Sequence, residues 1–145
     1  MMRKFLLLNV FLCLFITSCS NSVWHEVPYY ISDKKIVMQE DEDICRYAEA
    51  VFELYNNTDK EIESVEIVFF FFDDQNRPGM FNYKIKTQVP CPVEARHAKA
   101  IKVSLDPYIG PDIKDQYKLG LAYLSRINYS DGSVWNDQWG VYGIA

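Results

Sequence analysis

A chain of 145 residues, 49% hydrophobic and 15% aromatic, has material for one ordinary domain and too little for two. Six glycines and six prolines exclude collagen-like and low-complexity classes. A formal net charge of −5, with the acids scattered, argues against gripping nucleic acid through its phosphates, and two histidines leave little for a His-based metal site or triad.

Residues 1–19 read MMRKFLLLNVFLCLFITSC. Arg3 and Lys4 form a short positive start, and Phe5 to Ile16 is a 12-residue apolar run broken only by Asn9. As a helix that run is about 18 Å long. A bilayer core is about 30 Å thick, so the run fits a secretory signal and not a lasting span. Ile16-Thr17-Ser18-Cys19 resembles the bacterial lipobox. The resemblance implies a diacylglyceryl thioether on Cys19, cleavage before it and acylation of the new amine, with palmitate as a usual chain. Two or three acyl chains hold a protein on a membrane far more firmly than one, at about 0.8 kcal/mol per buried CH₂. The competing reading is an ordinary secretory signal cut nearby. Ser20 follows Cys19; by the enteric sorting rule a residue other than Asp there favours the outer membrane in a Gram-negative cell.

Cys13 falls in the removed segment and Cys19 carries lipid, which leaves Cys45 and Cys91 as an even pair in an oxidising compartment. The expectation is a disulfide closing a loop of about 46 residues, a contribution of about 3–4 kcal/mol. The competing reading is two unpaired thiols. There is no CxxC to suggest redox catalysis or a zinc ribbon.

Beyond residue 20 the dominant period is two. Val27–Ile31 and Ile36–Met38 read as short edge strands. Cys45 to Tyr55 alternates, with Ala48, Ala50, Phe52 and Leu54 on the apolar face. Asn56 to Lys60 is a turn cluster. Ile62 to Phe72 ends apolar on both faces, which suits a sheet centre, and two of Phe69–Phe72 should point away from the main core. Asp73 to Gly79 is a turn, and Tyr83 to Thr87 alternates again. Pro90 and Pro92 bracket Cys91, as at a sheet edge or crossover. Ala98 to Leu105 is a strand, and Asp106 to Asp115 is the longest loop, with a short helical turn near Asp112–Gln116. Tyr117 to Tyr129 is read with Tyr117, Leu119, Leu121, Tyr123, Ile127 and Tyr129 on one face. Asp131-Gly132 signals a hairpin before Ser133-Val134-Trp135, and Trp139 to Ile144 is a further aromatic stretch. The expected fold is all-β, an antiparallel immunoglobulin-like sandwich of about seven strands. The expected divisions are a signal peptide at 1–18, a lipidated Cys and polar or acidic tether with a possible edge strand at 19–44, and the sandwich at 45–145.

Val51-Phe52-Glu53-Leu54-Tyr55-Asn56-Asn57-Thr58-Asp59-Lys60, followed by Ile62 to Asp74, resembles the immunoglobulin-like domains of bacterial envelope lipoproteins, the FxLYD type above all. Phe72-Asp73 sits where that family has its Tyr-Asp, and the polar turn, strand, Pro, strand order over residues 80–105 is similar. Tyr129 to Trp135 resembles the closing hairpin of related domains. Such families carry no established catalytic residues, so the resemblance implies no active site.

Other constellations are weak. Gln39 to Asp43 is an acidic run, read as a solvated linker in preference to a loose Ca²⁺ site. Asp73 to Gly79 lacks the EF-hand spacing and reads as a β-turn. His25 and His97 stand apart from other ligands, and GxSxG, HExxH and Gly-rich phosphate motifs are missing. The expectation is therefore a non-enzyme without a cofactor. Trp135, Trp139 and Tyr142 are the binding candidates, a platform if exposed and core filling if buried. The expected role is a lipid-anchored binding or assembly module of the cell envelope, with an envelope or surface protein as partner. The alternative is a glycan or small-ligand binder using the same C-terminal aromatics.

Overall fold

The computed structural model describes residues 26–40, 46–73, 75–78, 84–108 and 117–143. Its strands are β1 (Tyr29–Glu40), β2 (Arg46–Asn56), β3 (Ile62–Phe72), β4 (Lys84–Val93), β5 (Ala98–Ser104), β6 (Lys118–Tyr129) and β7 (Val134–Asn136). They form two antiparallel sheets, ordered β1-β2-β5 and β4-β3-β6-β7. The chain crosses between sheets after β2, β4 and β5 and makes hairpins of β3-β4 and β6-β7. This is the Greek-key path of an immunoglobulin-like sandwich, as expected from the regular strand spacing. The signal segment, Cys19, His25 and the helical turn expected near 112–116 lie outside the described residues.

β3 is central because it can afford two apolar faces. Val65, Ile67, Phe69 and Phe71 point inward. They meet Phe52 and Leu54 of β2, and the rings of Phe52 and Phe69 lie 5.3 Å apart. Each such side chain contributes about 1.5–3 kcal/mol by leaving water. Phe70 and Phe72 point the other way, as anticipated. The Lys84 ammonium sits 5.8 Å from the Phe70 ring centre. One edge of the Phe72 ring lies against Gly120, where any Cβ would come within 2.3 Å of it. β4 is an edge, which is where Pro90 and Pro92 are tolerated.

β6 departs from its expected phase. Ala122, Leu124, Ile127 and Tyr129 face the core, whereas Tyr123 lies on the opposite face. The register with β3 slips between Glu66 and Ile67 and again between Phe69 and Phe71. Each slip inserts an extra residue and reverses the alternation, so no single set of odd positions shares a face. The hairpin after β6 also differs from a two-residue turn. Only Gly132 has positive φ (80°), and the Gly132 amide donates to the Tyr129 carbonyl while the Tyr129 amide donates to Ser133. That is a tight turn closed by a left-handed glycine.

The sandwich also begins earlier than residue 45. The two short edge strands are one strand, β1, kinked by a bulge between Ser32 and Lys35 where Asp33 has φ 44°. Tyr29 is 3% exposed and belongs to the core.

Cys91 is a buried free thiol, and Cys45, its expected partner, lies outside the described residues. Cys91 stands two positions from Val93, whose carbonyl accepts from Asn56 Nδ2 at 3.2 Å, so it sits near the Asn56 end of β2. Burial pushes the Cys91 thiol up to about 11, against the pull of the Lys99 charge and the Val65 backbone. The folded state therefore holds this proton more tightly than the unfolded chain. The resulting stability is complete below pH 9 and fades as pH climbs towards 11. In peptide-resolved alkylation of the native protein at pH 8, Cys91 is expected to stay unlabelled until denaturant is added, with no reductant needed. Labelling that requires reductant would restore the disulfide, and rapid native labelling would refute the burial.

Candidate binding surface

The C-terminal residues after β7 form a fastened turn. β7 pairs with β6 over only three residues, Asn136 to Val134 against Arg126 to Asn128. The Asp137 amide then donates to the Ser125 carbonyl at 2.9 Å, and the chain leaves the sheet. The Asp137 side chain causes the departure. It is buried, and its two carboxylate oxygens accept from the amides of Val141 (3.0 Å) and Tyr142 (2.9 Å). The Gly140 amide donates back to the Asp137 carbonyl at 3.2 Å. Charge-assisted bonds of this kind are about twice as strong as neutral ones.

Glycine is required inside this turn. Gly140 has φ 70°, and a Cβ there would sit 2.8 Å from the Tyr123 ring. At Gly143 a Cβ would come within 2.4 Å of Tyr123 Cβ. The turn thus lies directly on Tyr123, and this packing leaves Tyr123 only 4% exposed on the outer face of the sheet.

The three candidate aromatics divide. Trp135 is half-buried and packs edge-on against Tyr29 at 5.7 Å, with the Tyr142 ring tilted against it at 6.2 Å. Trp139 is 79% exposed, next to Val141 at 68%, and among the described residues no ring contact joins it to the other two. Trp135 is therefore mostly structural, Tyr142 is a rim residue, and Trp139 is the free ring. Sequence reading missed Asp137 and Tyr29. Tyr29 accepts a hydrogen bond from the Leu124 amide at 2.9 Å, and burial, with a smaller push from Asp137, raises its hydroxyl to about 12. Asp137 left a faint signal in the sequence, an acid spaced before Gly140 and Gly143.

Beside this turn is a cavity of about 120 Å³, open on one side. Tyr29, Tyr30, Ile31 and Lys34 of β1, Ala122 of β6 and Tyr142 line it. A drug-sized ligand needs about 300–1,000 Å³. A 150 Å³ apolar cavity accepts benzene, so this one suits a single side chain.

The remaining candidates carry less. The Asp73 carboxylate is taken up by its own turn, accepting from the Gln75 and Arg77 amides and from Arg77 Nε. Those bonds, the Arg77 amide foremost, hold its carboxyl below the usual range. His97 is exposed and contacts the Ala95 carbonyl. In the acidic run, Gln39 and Glu40 end β1, and residues 41–43 lie outside the described residues.

Fold and site together define an immunoglobulin-like β-sandwich with a rigid aromatic turn at one edge. No protein-family model and no curated protein matches the chain. A hypothetical protein from Peptoclostridium difficile 630, solved by X-ray diffraction at 1.85 Å, is similar with a TM-score of 0.56 at 12% identity, over 81% of this chain and 92% of that one. At that identity the likeness shows the fold alone.

Proposed function

We propose that this chain is an envelope lipoprotein, anchored by lipid on Cys19, whose sandwich is a non-catalytic binding or assembly module for another envelope or surface protein. The observation that carries the binding role is the exposed Trp139 on a turn held by the buried Asp137. An exposed tryptophan in a pre-ordered turn loses little entropy on docking, and aromatics of this kind dominate interface energetics. The anchor rests on the lipobox resemblance of residues 16–19. The small cavity favours a protein partner over the glycan or small-ligand reading.

The test immobilises residues 20–145 and captures envelope proteins for mass spectrometry, with Trp139→Ala as control. Trp135 is left in place because its ring packs on Tyr29. One dominant protein that is lost with Trp139→Ala is the expected result. No enrichment, together with a saturable glycan-induced fluorescence shift, would replace it with the alternative. Labelled palmitate should enter the wild type and not Cys19→Ser.

A further inference from the structure

We infer that the partner docks as an extended strand along the free edge of β6, with one aliphatic side chain in the neighbouring cavity and a carboxylate near Lys34 and Lys118. This deepens the binding-module reading and rests on it. β6 has 12 residues, and β7 covers three of them. Among the described residues, no strand pairs with β6 on that side from Lys118 to Tyr123. The cause is Asp137, which takes the chain off the sheet at the level of Ser125.

The other edges carry protection. β4 has Pro90 and Pro92, β1 has the bulge at Asp33, and β5 has Lys99 and Lys102. Prolines, bulges and lysines are the usual guards against strand addition. The open stretch of β6 is guarded less heavily: Lys118 stands at its start and the register slip opposite Phe69 to Phe71 falls at Gly120 and Leu121, but no proline interrupts it. The Leu124 amide turns away from β3 towards Tyr29, so by strand alternation the Ala122 backbone faces the same open side.

The cavity lies on that side, since Ala122 helps line it. Strand addition draws affinity from main-chain bonds and specificity from pockets for alternate side chains. An open edge and a side-chain-sized pocket stand together here. Tyr30 (56% exposed) and Tyr142 (41%) form an aromatic rim. Among the described residues, no carboxylate pairs with Lys34 or Lys118, which selects an acidic flank on the occupant.

The probe is a synthetic peptide of about eight residues, alternating threonine and valine, with a central leucine and a glutamate at each end. It is titrated into residues 20–145 and followed by amide NMR shifts and hydrogen exchange. Shifts should centre on β6 from Lys118 to Ala122 and on Tyr30 to Lys34, with Ala122 exchange slowed. N-methylation of the peptide amides facing β6 should weaken binding about tenfold or more for each bond lost. Lys34→Glu should weaken it too. Three results would overturn the inference: no β6 shift at millimolar peptide, equal binding by the N-methylated peptide, or edge pairing with a second copy of this chain. Capture that survives an edge failure and depends only on Trp139 would leave the binding-module reading standing.

Discussion

Asn56→Ala is expected to lower the unfolding free energy by about 3 kcal/mol. Asn56 is fully buried at the end of β2. Its Nδ2 donates towards the carbonyls of Lys60 (2.7 Å), Glu94 (3.1 Å) and Val93 (3.2 Å). An amide has two hydrogens, so at least one of these bonds is shared. Its Oδ1 accepts from the Thr58 amide (3.1 Å) and the Thr58 hydroxyl (2.7 Å). One side chain therefore ties the first sheet to its own outgoing loop and to the segment leaving β4. Truncation leaves three carbonyls and two donors to find water, some of them half-buried, so the loss stays below the sum of the bonds. Urea unfolding should show a lower midpoint with an unchanged slope. Asn56→Asp keeps the acceptor and sets a negative charge against three carbonyls, so it should be at least as damaging. A loss below about 1 kcal/mol for Ala would mean that the loop finds other partners.

How much of this was readable from sequence depends on how local each cause is. β3 runs from Ile62 to Phe72, the bounds its flanking turn clusters marked, because turn chemistry and apolar content act within a few residues. The edge role of β4 followed from Pro90 and Pro92 for the same reason. The facing of Tyr123 did not follow. It is set by two bulges whose cause is the fit of β6 against β3, a pairing of residues some 60 positions apart that no local pattern records. The disulfide expectation rests on a count of cysteines, and a count carries no information on whether two Cβ atoms meet.

The candidate site was half-readable. Aromatic content singled out Trp135, Trp139 and Tyr142, but only packing separates the free ring from the half-buried one. Tyr29 lies more than a hundred positions before Trp135 and meets it because β1 borders β6 and β7 across the sandwich. An edge half-vacated by an early turn is likewise a property of two strands and their lengths, and neither strand shows it alone.

Asp137→Ala should release the aromatic turn while leaving the sandwich folded. The substitution removes the acceptor for the Val141 and Tyr142 amides, two bonds to a buried carboxylate. Such bonds contribute about 1.5–3 kcal/mol each in net terms. The turn lies at the end of the described chain, so it can open locally, and the global loss is capped by the stability of the turn itself. A global cost of about 2 kcal/mol is expected, because Tyr123 loses the cover of Gly140 and Gly143. The larger effect is local. Amide exchange at Val141 and Tyr142 should rise towards unfolded rates while that of β3 stays slow. Asp137→Asn, which keeps the acceptor oxygen without the charge, should fall between the two. Partner capture then separates two roles. Trp139→Ala removes the ring and keeps the turn, whereas Asp137→Ala keeps the ring and removes its position. If both abolish capture, the pre-ordered turn is the docking element. If Asp137→Ala binds as well as wild type while its turn exchanges freely, the tryptophan works without pre-ordering, and the physical basis offered for the site is wrong.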